Sequence, residues 1–195
     1  MAPRYARMAI ADPAAHAETL TRVRARLTPA DRVLEIGCGT GAAALELAPA
    51  VARYTATDLA PGMIAIARDR PGAPAHLTFD VAGIEAAQTG PFDAILAFNL
   101  LHLLPDLPAA LAGIHAGLRP GGQFLSKTPC LADLGPWLRL VVPLLQAVGL
   151  APRLSWLTRA GLERAIAAAG FEVLETADLP ARRAQRYVAA RRPPA

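Results

Sequence analysis

The sequence predicts an α/β fold: a doubly wound, mostly parallel sheet with helices on both faces and an antiparallel last strand. Three observations carry this expectation. From Arg32 to Lys127, short apolar runs alternate with helical patterns, the rhythm of a parallel sheet covered on both faces. The first run turns through three glycines into a helical pattern, in "VLEIGCGTGAAALELA" from Val33 to Ala48. Near the end, "FEVLE" and "RYVAA" are separated by a loop too short for a parallel crossover, so the last strand must run against its neighbour.

The elements follow in order. Asp12 is placed to cap a helix with Pro13 at its first position. Leu20, Val23 and Leu27 form its apolar stripe, Arg22, Arg24 and Arg26 lie mostly off it, and Pro29 bounds it. "RVLEI" is the first strand, Ala42 to Ala52 a helix, "YTATD" the second strand and Pro61 to Arg70 a helix. "HLTFD" is the third strand, Gly83 to Ala87 a turn or short helix, and "FDAILAF" the fourth strand. A helix with Leu107, Leu111, Ile114 and Leu118 on one face precedes the fifth strand, "QFLSK". Thr158 to Ala169 is a helix stopped by Gly170. Between Lys127 and that helix lies a leucine-rich stretch with Trp137 and Trp156. Pro136, Pro143 and Pro152 divide it into short helices lying over the sheet's carboxyl edge. Arg139 and the prolines also exclude a membrane span there, so no stable membrane insertion is expected.

Composition narrows the class. A chain of 195 residues, 53% hydrophobic and 18% charged, suits one folded domain rather than a disordered chain. The net charge of +4 comes almost entirely from arginine, Lys127 being the sole lysine. Arg182, Arg183, Arg186, Arg191 and Arg192, all beyond the last acid Asp178, read as a solvated tail rather than a surface for anionic partners. Cys38 and Cys130 form neither a disulfide framework nor a metal-spacing pattern, and the first residues lack a signal-like apolar core. Both point to the cytoplasm.

In open α/β sheets, ligands bind beyond the carboxyl ends of the strands where strand order reverses, normally at the first strand. Gly37, Gly39 and Gly41 stand there and are expected to admit a ligand closely and to supply unobstructed N–H groups at the start of the next helix. Asp58 ends the second strand 17 residues after Gly41, near the spacing at which a carboxylate meets two ribose hydroxyls. The pair implies a nucleoside. "GCGTGA" also fits the dinucleotide pattern G-x-G-x-x-A through Gly37, Gly39 and Ala42, but three features oppose it. Glu35 puts a carboxylate where a pyrophosphate would be repelled and an ammonium or sulfonium favoured. Asp80 closes the third strand as an acceptor for an adenine amino group. The antiparallel last strand is foreign to the usual dinucleotide fold.

With these residues in view, the chain resembles the class I S-adenosylmethionine-dependent methyltransferases, in the small-molecule branch with the ubiquinone and menaquinone methylases. The resemblance rests on "VLEIGCGTG", "TDLAPGMIAIAR", "LTFDV", "FDAILAFNLLHLLPD", "LRPGGQFLSK" and "AGFEV" in that order. It implies a Rossmann-like, seven-stranded sheet in a single methyltransferase domain over residues 1–195, with S-adenosylmethionine as cofactor and S-adenosylhomocysteine as product. It places Gly37, Cys38, Gly39 and Gly41 around the methionine part and Glu35 near its amino group. Asp58 falls on the ribose hydroxyls, Leu59 against the adenine, Asp80 on its amino group and Asn99 beside the cofactor. Met63 and Val81 complete the expected cofactor set. Residues 1–28 correspond to a helical lid, in which Tyr5 would face the sulfonium, and residues 128–157 to an apolar cover on the substrate side.

Methyl transfer to an activated carbon needs mainly orientation and exclusion of water, and a base only if the acceptor has a proton to lose. His102, just beyond the fourth strand, is the candidate base, against the plainer role of fixing a loop by hydrogen bonding. His115 reads as structural. A zinc site from Cys38, Cys130 and His102 would need three distant loops to converge, so no metal is expected. Lys127 suits an anionic acceptor group or a helix carboxylate equally. The leucine- and tryptophan-rich cover favours a small hydrophobic acceptor, such as a quinone precursor, lipid or aromatic metabolite. Nucleic acid is disfavoured, since "FNLLHL" lacks the Asn/Asp-Pro-Pro-aromatic pattern of many base methylases. The competing functions are an NAD(P)-dependent oxidoreductase and a non-catalytic cofactor-binding module that holds a protein or lipid partner.

Overall fold

The computed structural model describes residues 12–135, 155–180 and 184–194. Tyr5, Trp137, Arg182, Arg183 and the predicted short helices at 136–154 lie outside them. Helix α1 (Pro13–Arg24) starts as expected, with the Asp12 carboxylate accepting the Ala15 N–H at 3.0 Å. Then come β1 (Arg32–Ile36), α2 (Ala42–Leu47), β2 (Arg53–Asp58), α3 (Pro61–Arg68), β3 (Leu77–Val81) and β4 (Phe92–Phe98). They are followed by α4 (Leu107–Gly117), β5 (Leu118–Pro129), α5 (Arg159–Ala168), β6 (Glu172–Asp178) and β7 (Gln185–Arg191).

The described strands form one seven-stranded sheet in the order β3-β2-β1-β4-β5-β7-β6. β1 to β5 pair in parallel, and β7 runs antiparallel to both its neighbours, β5 and β6. The last strand therefore closes the sheet from within rather than at its rim. The core divides between the two faces as the pleat requires. Val33, Tyr54, Phe79, Leu96 and Leu125 pack with Leu20, Leu47 and Ile64 of α1–α3. Leu34, Ile36, Ile95 and Phe124 pack with Leu111, Ile114, Leu162 and Ile166 of α4 and α5.

Several boundaries depart from expectation. The helix after the glycine turn ends at Leu47 and tightens into a 3₁₀ turn at Ala48–Ala50, where Pro49 cannot donate to continue it. β5 begins at Leu118, opposite Phe92, and the pairing shifts before Gln123 meets Ala94, so "RPGG" is absorbed as a bulge.

The reading of a solvated arginine tail is corrected for Arg186, Arg191 and Arg192. Because β7 lies inside the sheet, its arginines meet acids from β6 and α5. Arg186 donates to Glu163 (2.6 Å), Asp178 (3.1 Å) and the Thr176 hydroxyl (2.8 Å), and Arg191 pairs with Glu172 at 2.6 Å. Arg192 donates to the Leu118 carbonyl at 2.6 Å. Among the described residues, no helix is long and apolar enough to cross a membrane.

Candidate active site

The register brings the predicted cofactor residues to one edge. Ile36 pairs with Thr57, and Asp58 with Val81, so the glycine turn, Asp58 and Val81 leave three adjacent strands at the same height. Asn99 leaves β4 beside them.

Gly37, Gly39 and Gly41 have φ of +74°, +56° and +75°, a left-handed run that side chains resist. At Gly41 a Cβ would stand 2.6 Å from the Phe79 ring, so glycine there is also a packing requirement. At Gly39 it would meet no heavy atom within 4 Å, which marks open space over the turn.

The turn's own N–H groups are taken, whereas those that open α2, at Ala42 to Ala44, meet no acceptor among the described residues. The Thr57 carbonyl accepts from both Gly37 (2.7 Å) and Cys38 (2.9 Å), Asp58 accepts from Gly39 (2.9 Å), and Gly41 donates to the Cys38 carbonyl (3.0 Å). The reason is non-local: the end of β2 curls against the turn and takes its donors. With these four donors committed, the turn offers a ligand only the N–H groups that open α2.

Asp58 uses Oδ2 for Gly39 and Oδ1 for Ala60, both at 2.9 Å. Each carboxylate oxygen keeps a second lone pair for a hydroxyl donor. Beyond it, Leu59 is 73% and Val81 50% exposed, an apolar platform of the kind an aromatic base covers. Leu59 also lies against Gly83, where a Cβ would come within 2.9 Å of it. Asp80 is exposed and sits 3.7 Å from Arg68, so an adenine amino group would share it with that guanidinium. Met63 is half-buried on α3. Asn99 is exposed with φ +53°, its N–H given to the Lys127 carbonyl at 2.7 Å. Such strain at a strand end is typical of functional positions.

Glu35 is 2% exposed, and Tyr54 donates its hydroxyl to Glu35 Oε2 at 2.9 Å. Burial pushes the Glu35 carboxyl up to about 7; the Tyr54 hydroxyl opposes this and the Asp58 charge adds to it. Burial, with the charges of Glu35 and Asp58, also raises the Cys38 thiol well above its ordinary range, which leaves it a small inert side chain. Tyr54 escaped the sequence reading. Strand alternation was the available signal, since Tyr54 and Ala56 share a sheet face with Val33 and Glu35.

On the other side of the edge, His102 lies on a 3₁₀ turn, Leu101–Leu103. Its Nδ1 is buried with no hydrogen-bond partner among the described residues, and burial lowers its pKa. The loop is instead fixed by backbone, Ser155 N–H donating to the His102 carbonyl at 2.7 Å. Lys127 stands at the edge, opposite Phe98, but its side chain turns to α1. It is 8% exposed and donates to the Ala15 carbonyl of α1 at 3.4 Å, with Asp12 nearby in charge. His115 packs edge-on against Phe171, its ring 5.0 Å away.

The profile of a family described as methyltransferase domain matches residues 7–176. The ubiquinone biosynthesis O-methyltransferase of Xanthomonas axonopodis pv. citri (strain 306) is 36% identical over 119 residues, covering 56% of this chain and 50% of that one. The malonyl-[acyl-carrier protein] O-methyltransferase of Serratia marcescens is 36% identical over 106 residues, covering 54% of this chain and 41% of that one. The chain thus spans about half or less of the length of these relatives. Among solved structures, the N-methyltransferase NodS from Bradyrhizobium japonicum WM9 in complex with S-adenosyl-L-homocysteine aligns with a TM-score of 0.70. Its identity is 21%, over 92% of this chain and 88% of that one, a likeness of fold.

Proposed function

The chain belongs to the methyltransferase-domain family, and on that premise we propose that it transfers a methyl group from S-adenosylmethionine to a small, apolar acceptor. One observation carries the choice of cofactor. The turn at the head of β1 keeps its N–H groups for Thr57, Asp58 and Cys38 and presents a buried carboxylate, Glu35, behind it. The Glu35 carboxylate favours a ligand with a cationic end over a pyrophosphate, which weighs against an NAD(P)-dependent oxidoreductase.

The residues at this edge fit that cofactor. Asp58 suits the ribose hydroxyls, Leu59 and Val81 the adenine, with Asp80 at its rim, and the open space over Gly39 the methionine part. When bound, S-adenosylmethionine supplies a methyl carbon already activated by its sulfonium. The chain's share is orientation and exclusion of water.

On the acceptor side, Leu103, next to His102, stays 41% exposed and Leu134, on the loop after β5, 39% exposed, and this supports an apolar acceptor such as a quinone precursor, lipid or aromatic metabolite. A half-buried imidazole whose pKa is lowered by burial is neutral at pH 7 and suited to take a proton from an acceptor hydroxyl. The test is transfer of a labelled methyl group from S-adenosylmethionine to a panel of apolar phenols, quinols and fatty acyl compounds. Asp58→Ala serves as the inactive control. Turnover on an apolar phenol that falls at least ten-fold in His102→Ala supports the base role; unchanged turnover removes it. Transfer only to charged, water-soluble acceptors would overturn the substrate class.

A further inference from the structure

We propose that Tyr54 is a positioning residue for the amino end of the cofactor: its hydroxyl fixes one oxygen of the Glu35 carboxylate and leaves the other, Oε1, to receive the ligand's ammonium. This rests on the cofactor reading above and adds a residue to it.

The geometry is restrictive. Glu35 and Tyr54 lie on the same sheet face of neighbouring strands, both buried, at 2% and 0% exposure. Tyr54 takes Oε2 at 2.9 Å, and among the described residues Oε1 has no donor. A buried carboxylate with a single neutral donor is under-satisfied, and an arriving ammonium would complete it.

The groups around the carboxyl explain why an ammonium is wanted. From β2 come Tyr54 and Asp58, and from the turn Cys38, all neutral or negative. Across the ladder, β4 contributes Leu96, and α2 presents Ala43, Ala44 and Leu47, with Glu46 turned toward His16 at 3.6 Å. The one lysine nearby in the fold, Lys127, is committed to the Ala15 carbonyl. Among the described residues no cation offsets Glu35, so its carboxyl titrates near 7, and ionising it is part of the work of binding.

The pH dependence follows in sign. Below pH 7 the carboxyl is protonated and cannot pair with an ammonium; above it the pair forms. Affinity for S-adenosylhomocysteine should rise about ten-fold from pH 6 to pH 8, whereas 5′-methylthioadenosine, which has the adenosine but no amino acid, should bind equally at both. Tyr54→Phe removes the donor, moves the midpoint up, and should weaken S-adenosylhomocysteine about five-fold at pH 7 with 5′-methylthioadenosine unchanged.

Calorimetric titration of both ligands against wild type and Tyr54→Phe tests this. If Tyr54→Phe does not fold, 3-fluorotyrosine placed at position 54, a stronger donor of nearly the same shape, should move the midpoint down. Equal weakening of both ligands, or an unmoved midpoint in the variant measured, overturns the proposal. Failure of the wild type to bind either ligand at any pH overturns the cofactor reading itself.

Discussion

The two halves of the sheet's carboxyl edge are built differently. Beside β1, β2 and β3 the site is made of backbone: a left-handed glycine run, two β2 acceptors that hold it, and Asp58 bracing both the turn and its own loop. Beside β4 and β5 it is made of side-chain clasps between distant segments. Arg159 grips Asp133 (3.0 Å) and Asp178 (2.8 Å), Asp178 also meets Arg186, and Ser155 donates its hydroxyl to the Leu104 carbonyl at 3.0 Å. The first half is suited to one fixed ligand. The second holds short segments that sequence change can alter while the sheet is left intact, which suits the acceptor side proposed above.

If this contrast is right, damage to the first half should be global and damage to the second local. The largest effect belongs to Gly41→Ala, which meets both a φ of +75° and the Phe79 ring. It should cost about 2–4 kcal/mol in denaturant unfolding. Gly39→Ala, with open space around it, should cost only about 1 kcal/mol and express itself in weaker cofactor binding. Equal losses at the two positions would break the distinction between packing and ligand space.

Next comes Asp58→Ala. It removes the acceptor for two N–H groups as well as the proposed ribose partner, and should weaken S-adenosylhomocysteine at least ten-fold, about 1.4 kcal/mol, in a calorimetric titration. An unchanged dissociation constant would take Asp58 out of the site.

Glu35→Gln sharpens the account through stability. The folded carboxyl keeps its proton to about pH 7, whereas an ordinary carboxyl loses it near 4.5. Wild-type stability should therefore fall as pH rises through that window. The neutral variant should escape this fall, so its melting temperature relative to wild type should be higher at pH 8 than at pH 5. A constant difference would mean that Glu35 does not titrate as described.

The smallest effect is expected at Ser155→Ala, about 1 kcal/mol in denaturant unfolding for one part-buried hydrogen bond, with cofactor affinity unchanged. A loss of cofactor affinity there would show that the two halves are coupled.

What was legible in the sequence follows the same division. The glycine turn, Asp58 and the strand order of a doubly wound sheet rest on local patterns, and the sheet formed as expected, including the reversed last strand. Where a feature depended on contact between separate strands, it was less visible. The N–H groups of Gly37 and Cys38 looked available because nothing local shows Thr57 curling against them. Tyr54 was within reach of strand alternation, but its meeting with Glu35 required the β1–β2 register. Arg186 and Arg191 looked like a solvated tail because their acids come from β6 and α5, and only the insertion of β7 between β5 and β6 brings them together. Lys127 looked like an edge residue, yet α1 packs over it.

The central claim is that the turn after β1 receives a nucleoside with a cationic amino-acid end and no pyrophosphate. Side-by-side calorimetric titration of the purified protein with S-adenosylmethionine, S-adenosylhomocysteine and NADH tests it most directly. The account predicts micromolar binding of the first two and none of the third. Binding of NADH alone would mean that the turn holds a pyrophosphate after all, and would contradict it.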